Sequence, residues 1–183
     1  MKMYKQFRID RDGNLHPLFV DTDRTIPIGR WLTAELGERT ESGKVRSKLG
    51  PLAYRPGWHL SEAPYAPHIG VKVNGEIRYM HPDTVWALCE ISSDVDYTAE
   101  ARKRGTRNGK LIAREACLDR LPENGFYWYN TNPKAFGNWI IAHRIRVIAV
   151  LDDDQVENIC MTKFGIHSQP HEPGHKFVNR KGA

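Results

Sequence analysis

Residues 50–70 read GPLAYRPGWHLSEAPYAPHIG, and the interpretation of this stretch decides how the chain is understood. One short span holds Tyr54, Arg55, Trp58, His59, Ser61, Tyr65 and His68. That mixture is too polar for a core segment and too aromatic for a solvated loop. Ligand surfaces bring rings and polar groups together, because rings supply area while a few polar atoms fix orientation. As a strand, the GWHLS run at residues 57–61 puts His59 and Ser61 on one face and Trp58 and Leu60 on the other. The alternative reading of His59 and Ser61 is a buried pair that satisfies local backbone.

Outward from this stretch the chain reads as strands with few helices. Residues 3–9 alternate and end at the Asp-Gly pair of DRDGN, and LHPLFV reads as the returning strand of a hairpin. RWLTAELG suits one or two helical turns closed by Gly37, and ERTESGKVRSKLG reads as a mobile polar connection. Residues 61–69 suit a short helix capped by Ser61 and kept short by Pro64 and Pro67. VKVNGEIRYMH carries an Asn-Gly turn between two short runs, and TVWALCEI is the clearest strand of the middle third. Residues 97–121 mix two helical pieces around a basic loop broken by glycine. GFYWYN, NWIIAHRIRVIAVL and VENICMTKF follow, rich in aromatic and β-branched residues. The expected fold is a single α+β domain over residues 1–165, with strongly curved, mostly antiparallel sheets and few short helices. A flexible tail is expected over 166–183, where no core pattern exists.

Composition narrows the function classes. The 183 residues carry 27 Lys and Arg against 22 Asp and Glu, a formal charge of +5. That balance favours anionic partners such as nucleic acid or phosphorylated nucleotides. Cys89, Cys117 and Cys160 stand far apart without a CxxC pair, which implies neither a disulfide framework nor a zinc knuckle. With a charged start and no apolar run of membrane-spanning length, the expected location is the cytoplasm, with no membrane partner. His167, His171 and His175 are evenly spaced, but Pro170, Pro173 and Gly174 exclude a regular helix and no cysteine joins them, so no metal is expected. The run Arg102-Lys103-Arg104-Gly105-Thr106-Arg107-Asn108-Gly109-Lys110 is the best local candidate for a nucleic-acid backbone, with Arg102, Arg104 and Lys110 as its contacts. As a plain loop it is merely solvated.

The order of these elements resembles the ADP-ribosyltransferase superfamily, including its RNA 2′-phosphotransferase branch. In that superfamily an early strand presents Arg or His, and a second strand presents Gly-x-His followed by an apolar residue and Ser or Thr. Arg8 and the Gly57-Trp58-His59-Leu60-Ser61 run match both features. A late strand in the family often presents a catalytic Glu, where this chain reads Gly137-Asn138-Trp139. An Asn orients a hydroxyl but is no base near neutral pH. The resemblance implies an ADP-ribosyltransferase-like fold that binds NAD or a related phosphorylated nucleotide and transfers ADP-ribose to a protein or nucleic acid. Arg8, His59 and Asn138 would stand at the catalytic positions, with Arg55, Gly57, Ser61 and Tyr65 around the nucleotide. A phosphotransferase would instead use Arg8, His59 and one of Arg144 or Arg146. The whole chain also resembles small proteins carried by phages and mobile elements, which would place it in the host cytoplasm. The competing expectation is a non-catalytic accessory protein that holds nucleic acid or a host protein through its basic surface.

Overall fold

The alternation of residues 2–9 forms the central strand β1 (Lys2–Ile9), which turns at Gly13 into the short β2 (Leu15–His16). The computed structural model describes residues 1–130 and 135–176. Next in chain order come β3 (Trp31–Thr33), β4 (Trp58–Ser61), the hairpin β5 (Val71–Val73) and β6 (Glu76–Tyr79), and the long β7 (Thr84–Ile91). After β8 (Val95–Asp96), helix α1 (Thr98–Arg104) precedes the hairpin β9 (Thr106–Arg107) and β10 (Lys110–Leu111) and a 3-10 turn at Ala113–Glu115. The last strands are β11 (Gly125–Tyr129), β12 (Trp139–Ala142) and β13 (Arg144–Leu151), followed by helix α2 (Asp153–Phe164).

Strands β3-β13-β7-β1-β4-β12-β11-β8 lie side by side in that order, with β2 added to β1, and every pairing except β11 with β8 is antiparallel. The sheet is strongly coiled. Three strands separate β4 from the edge strand β3, which in a flat sheet would hold them about 19 Å apart. Here the Trp58 Nε1 atom donates to the Leu32 carbonyl at 3.3 Å. The concave side closes over Phe7, Leu60, Val85, Ile140, Ile145 and Val147, all fully or almost fully buried. On the convex side α2 covers Tyr4, Trp86 and Leu151 with Val156 and Cys160. Helix α1 covers Tyr127 and Ile141 through Ala101, joined by Leu118. The mostly-β architecture with antiparallel strands and few helices therefore stands as expected.

Several local expectations are corrected. RWLTAELG holds an edge strand, because Trp31 and Thr33 pair with Arg146 and Arg144 of β13. No helix follows Ser61, whose hydroxyl donates to the Ala63 carbonyl, and residues 62–70 run as turns through Pro64 and Pro67. VENICMTKF is helical, because Asp152 and Gln155 form a reciprocal capping box and Gly165 ends the helix in the left-handed region at φ 65°. The tail is pinned from Ile166 to Lys176, where Gln169 and His171 are buried and the Pro170 carbonyl accepts from the Met80 N–H. Residues 177–183 of the expected tail lie outside the described residues.

Candidate functional site

The GWHLS run forms β4, and the structure uses its polar groups internally. Gly57 sits at φ 131°, where an added Cβ would lie 2.3 Å from Ile141 Cγ2 and 3.0 Å from the Ala142 carbonyl. It is a packing glycine against β12. The His59 Nε2 atom lies 2.9 Å from the Arg55 carbonyl, an acceptor only, so Nε2 carries the ring proton. Nδ1 then accepts from the Tyr129 hydroxyl at 2.9 Å. Desolvation by burial is the main cause that holds His59 down to about 4, with the charges of Lys5 and Arg55 adding to it and the Arg55 carbonyl opposing. Ser61 is fully buried with its hydroxyl turned onto local backbone. In this arrangement both ring nitrogens of His59 and the hydroxyl of Ser61 already hold protein partners.

Arg8 donates to the Thr22 carbonyl at 2.9 Å, away from the partners of His59, so the structure does not gather the two around a common hollow. Asn138 is exposed, and both its backbone N–H and its side-chain amide donate to the Glu62 carboxylate, at 2.8 and 2.9 Å. Tyr65 packs edge-on against Phe136, with ring centroids 5.5 Å apart. Arg8, His59 and Asn138 therefore hold three separate sets of partners.

A cleft of about 630 Å³ opens elsewhere, and arginines dominate its wall. One side comes from residues 104–119. Arg104 stands at the end of α1, Arg107 on β9, and Arg114 and Glu115 on the 3-10 turn. Asn108 and Gly109 adopt φ 50° and 75°, the tight turn that folds β10 back on β9. Gly105 lets that hairpin close onto the following segment, since a Cβ there would meet the Ala116 backbone at 2.6 Å. The other side comes from Arg39, Gly43 and Tyr54. The Arg39 guanidinium lies 3.7 Å from the centre of the Tyr54 ring, and Arg55 reaches the Arg114 carbonyl at 3.4 Å to tie the two sides.

Charge is unevenly matched in this cleft. Asp119 pairs with Arg104 at 2.8 Å and Glu115 with Arg107 at 3.5 Å. Arg39 and Arg114 form no ion pair among the described residues. Four guanidiniums thus face two carboxylates, and Arg102, Lys103 and Lys110 extend the positive surface on exposed positions of the same α1 and hairpin unit. Guanidiniums offer flat forks of N–H donors suited to phosphate oxygens, and a ring stacked beneath one fixes its plane. The chemistry available is recognition of phosphate groups.

Of the residues expected from sequence at the nucleotide or nucleic acid, Arg104 lines this cleft, Arg55 braces it, and Arg102 and Lys110 flank it. No local pattern marks Arg39 or Arg114, because each is one arginine in an unpatterned segment and only the fold brings them together. Among the described residues no group of His, Cys, Asp and Glu forms a metal site, the three cysteines are free thiols, and no helix is long and apolar enough to cross a membrane. Comparison with family models, curated proteins and solved structures yields no match to this chain.

Proposed function

We propose that the chain is a nucleic-acid-binding protein that grips the phosphate backbone in the cleft between Arg39 with Tyr54 and the α1–hairpin unit. The observation that carries this reading is the surplus of guanidiniums there, two of them without a carboxylate partner among the described residues. A polyanion exchanges condensed counterions for such groups, and the exposed Arg102, Lys103 and Lys110 let the contact extend past the cleft. Four phosphate contacts correspond to a slope of log affinity against log salt of about −3 to −4. Fluorescence anisotropy with labelled single- and double-stranded oligonucleotides across a salt series tests it. Affinity that is absent, or indifferent to salt, sinks the reading.

A second reading keeps the same cleft and changes the ligand to NAD or a related phosphorylated nucleotide, as the superfamily resemblance implies. The cleft volume and the Tyr54 ring beside Arg39 favour it, since small-ligand sites span roughly 300–1,000 Å³. Transfer of ADP-ribose additionally requires a carboxylate and an acceptor-activating group at the reacting ribose. Calorimetry with NAD and ADP-ribose separates the two readings: heat with these and none with oligonucleotides favours the small nucleotide. Binding of neither leaves a protein ligand for the basic surface.

A further inference from the structure

Among the described residues the segment after α2 is fastened at four places. The His167 ring and the Ser168 N–H meet the two Glu157 carboxylate oxygens, each at 2.7 Å. The Gln169 amide donates to the carbonyls of Ile69 and Tyr79, each at 3.0 Å. The Met80 N–H donates to the Pro170 carbonyl at 2.9 Å. The fourth fastening is His171, buried with Nδ1 at 3.0 and 3.1 Å from the Asp153 oxygens and Nε2 at 2.9 Å from the Thr84 carbonyl. A carboxylate and a carbonyl only accept, so both ring nitrogens must donate and the ring must be an imidazolium.

We propose that residues 167–176 form a pH-gated strap, locked by the His171 imidazolium bridging α2 and the start of β7, and released when that ring loses a proton to water. Deprotonation leaves a bare nitrogen facing either the Asp153 carboxylate or the Thr84 carbonyl, and one of those contacts turns repulsive. The surroundings favour the locked form. Burial alone would pull His171 down, but the Asp153 hydrogen bond and charge, with the Thr84 and His81 carbonyls, outweigh it and leave the group above its ordinary value of 6.5. Among the described residues the groups facing His171 include Asp153 from α2, the carbonyls of His81 and Thr84 from the entry to β7, and the His175 ring stacked 4.2 Å away at 16°. His175 is itself held below 6.5, chiefly by burial and then by the His171 charge against the opposing Asp153 charge, so it takes up a proton at lower pH than His171 does. Because the folded value lies above the unfolded one, the lock is complete below about 6.5 and lost as pH rises through the folded value. Release frees the Met80 N–H from the Pro170 carbonyl, at a residue whose side chain belongs to the core cluster under α2.

The test uses the full chain labelled with 15N, reading the His171 ring shifts and the hydrogen exchange of the Met80 and Ser168 amides at about pH 6 and about pH 9, corrected for intrinsic rates. A doubly protonated ring at the lower pH is expected, with protection at both amides falling about tenfold for each unit by which the His171 value is raised. Amides of β1 keep their protection and show that the fold persists. His171→Gln, which carries no titrating proton, is expected to give weaker protection with a smaller pH dependence than the unaltered protein shows. A ring carrying one proton at about pH 6, or equal protection at both pH values, overturns the proposal, and either result is readable in the unaltered protein if the variant fails to fold.

Discussion

The His59 imidazole and the Tyr129 hydroxyl lie 2.9 Å apart, with the hydroxyl donating to Nδ1, so β4 is tied to β11 across the intervening β12. The bond requires a neutral ring. In the unfolded chain His59 titrates at the ordinary 6.5, and in the fold at about 4, so the unfolded state binds the extra proton. Its contribution to stability is present above about 6.5 and is lost as pH falls through about 4. Denaturant unfolding between those limits is expected to show a loss on the order of 2–3 kcal/mol from this group, and His59→Gln should flatten that part of the profile. An unchanged slope in the variant would show that the ring is solvated in the fold. Tyr129→Phe removes the only donor that Nδ1 has among the described residues and is expected to cost about 1–2 kcal/mol.

Gly57 combines a left-handed φ of 131° with a Cβ position 2.3 Å from Ile141 Cγ2, and Ile141 is fully buried. Gly57→Ala is expected to destabilise by about 2–4 kcal/mol, since strain and overpacking act together. Gly75→Ala serves as the comparison, because Gly75 has φ 86° but nothing within 4 Å of its Cβ position. Its cost should be nearer 1 kcal/mol. Equal midpoints for the two variants would show that β12 yields to the added methyl.

Local pattern revealed those elements whose own residues decide them. The alternation of β1, the Asn-Gly turn of β5 and β6 and the buried run of β7 needed no partner to be recognised. What the sequence hid depends on distant pairing. Trp31–Thr33 are extended because β13 supplies the hydrogen bonds, and β-branched residues in VENICMTKF pointed to strand although the Asp152 cap decides for helix. At the site, the GWHLS run was conspicuous because it is polar, yet its polarity serves the interior. The arginines of the cleft are scattered over residues 39–114, and no window of sequence contains them together.

Arg114 and Arg102 separate the cleft from the basic loop. Arg114 lines the cleft, whereas Arg102 lies outside its wall on the exposed side of α1. Arg114→Ala is expected to weaken oligonucleotide binding about tenfold and to reduce the salt slope by about 1, with Arg102→Ala having a smaller effect. Arg114→Lys should keep the slope and lose affinity, because an ammonium replaces the charge without the planar fork. Anisotropy at matched salt measures all three. Equal losses from Arg102→Ala and Arg114→Ala would mean that the loop binds as a diffuse charge and the cleft has no special part.

Lys5 is the one cation on the concave side of β1, with its ammonium 5.5 and 5.6 Å from the ring centres of Phe7 and Trp58 and donating to the His59 carbonyl at 3.0 Å. Burial lowers it to about 8, against a weaker opposing influence of Cys89. A folded value below the unfolded 10.5 means that the charged amine costs stability at every pH below about 8, and that the cost fades as pH rises toward 10.5. Lys5→Met keeps the length of the side chain and removes that cost, but it also strips a donor from the His59 carbonyl. The two effects oppose each other, and the desolvation of the ammonium is the larger, so a gain of about 1–2 kcal/mol at neutral pH is expected, shrinking as pH rises from about 8 toward 10.5. Thermal unfolding of both proteins over that range measures the balance. A variant less stable than the parent at neutral pH would show that the ammonium is held favourably by the two rings and the carbonyl, and that its place in the sheet interior is an asset to folding.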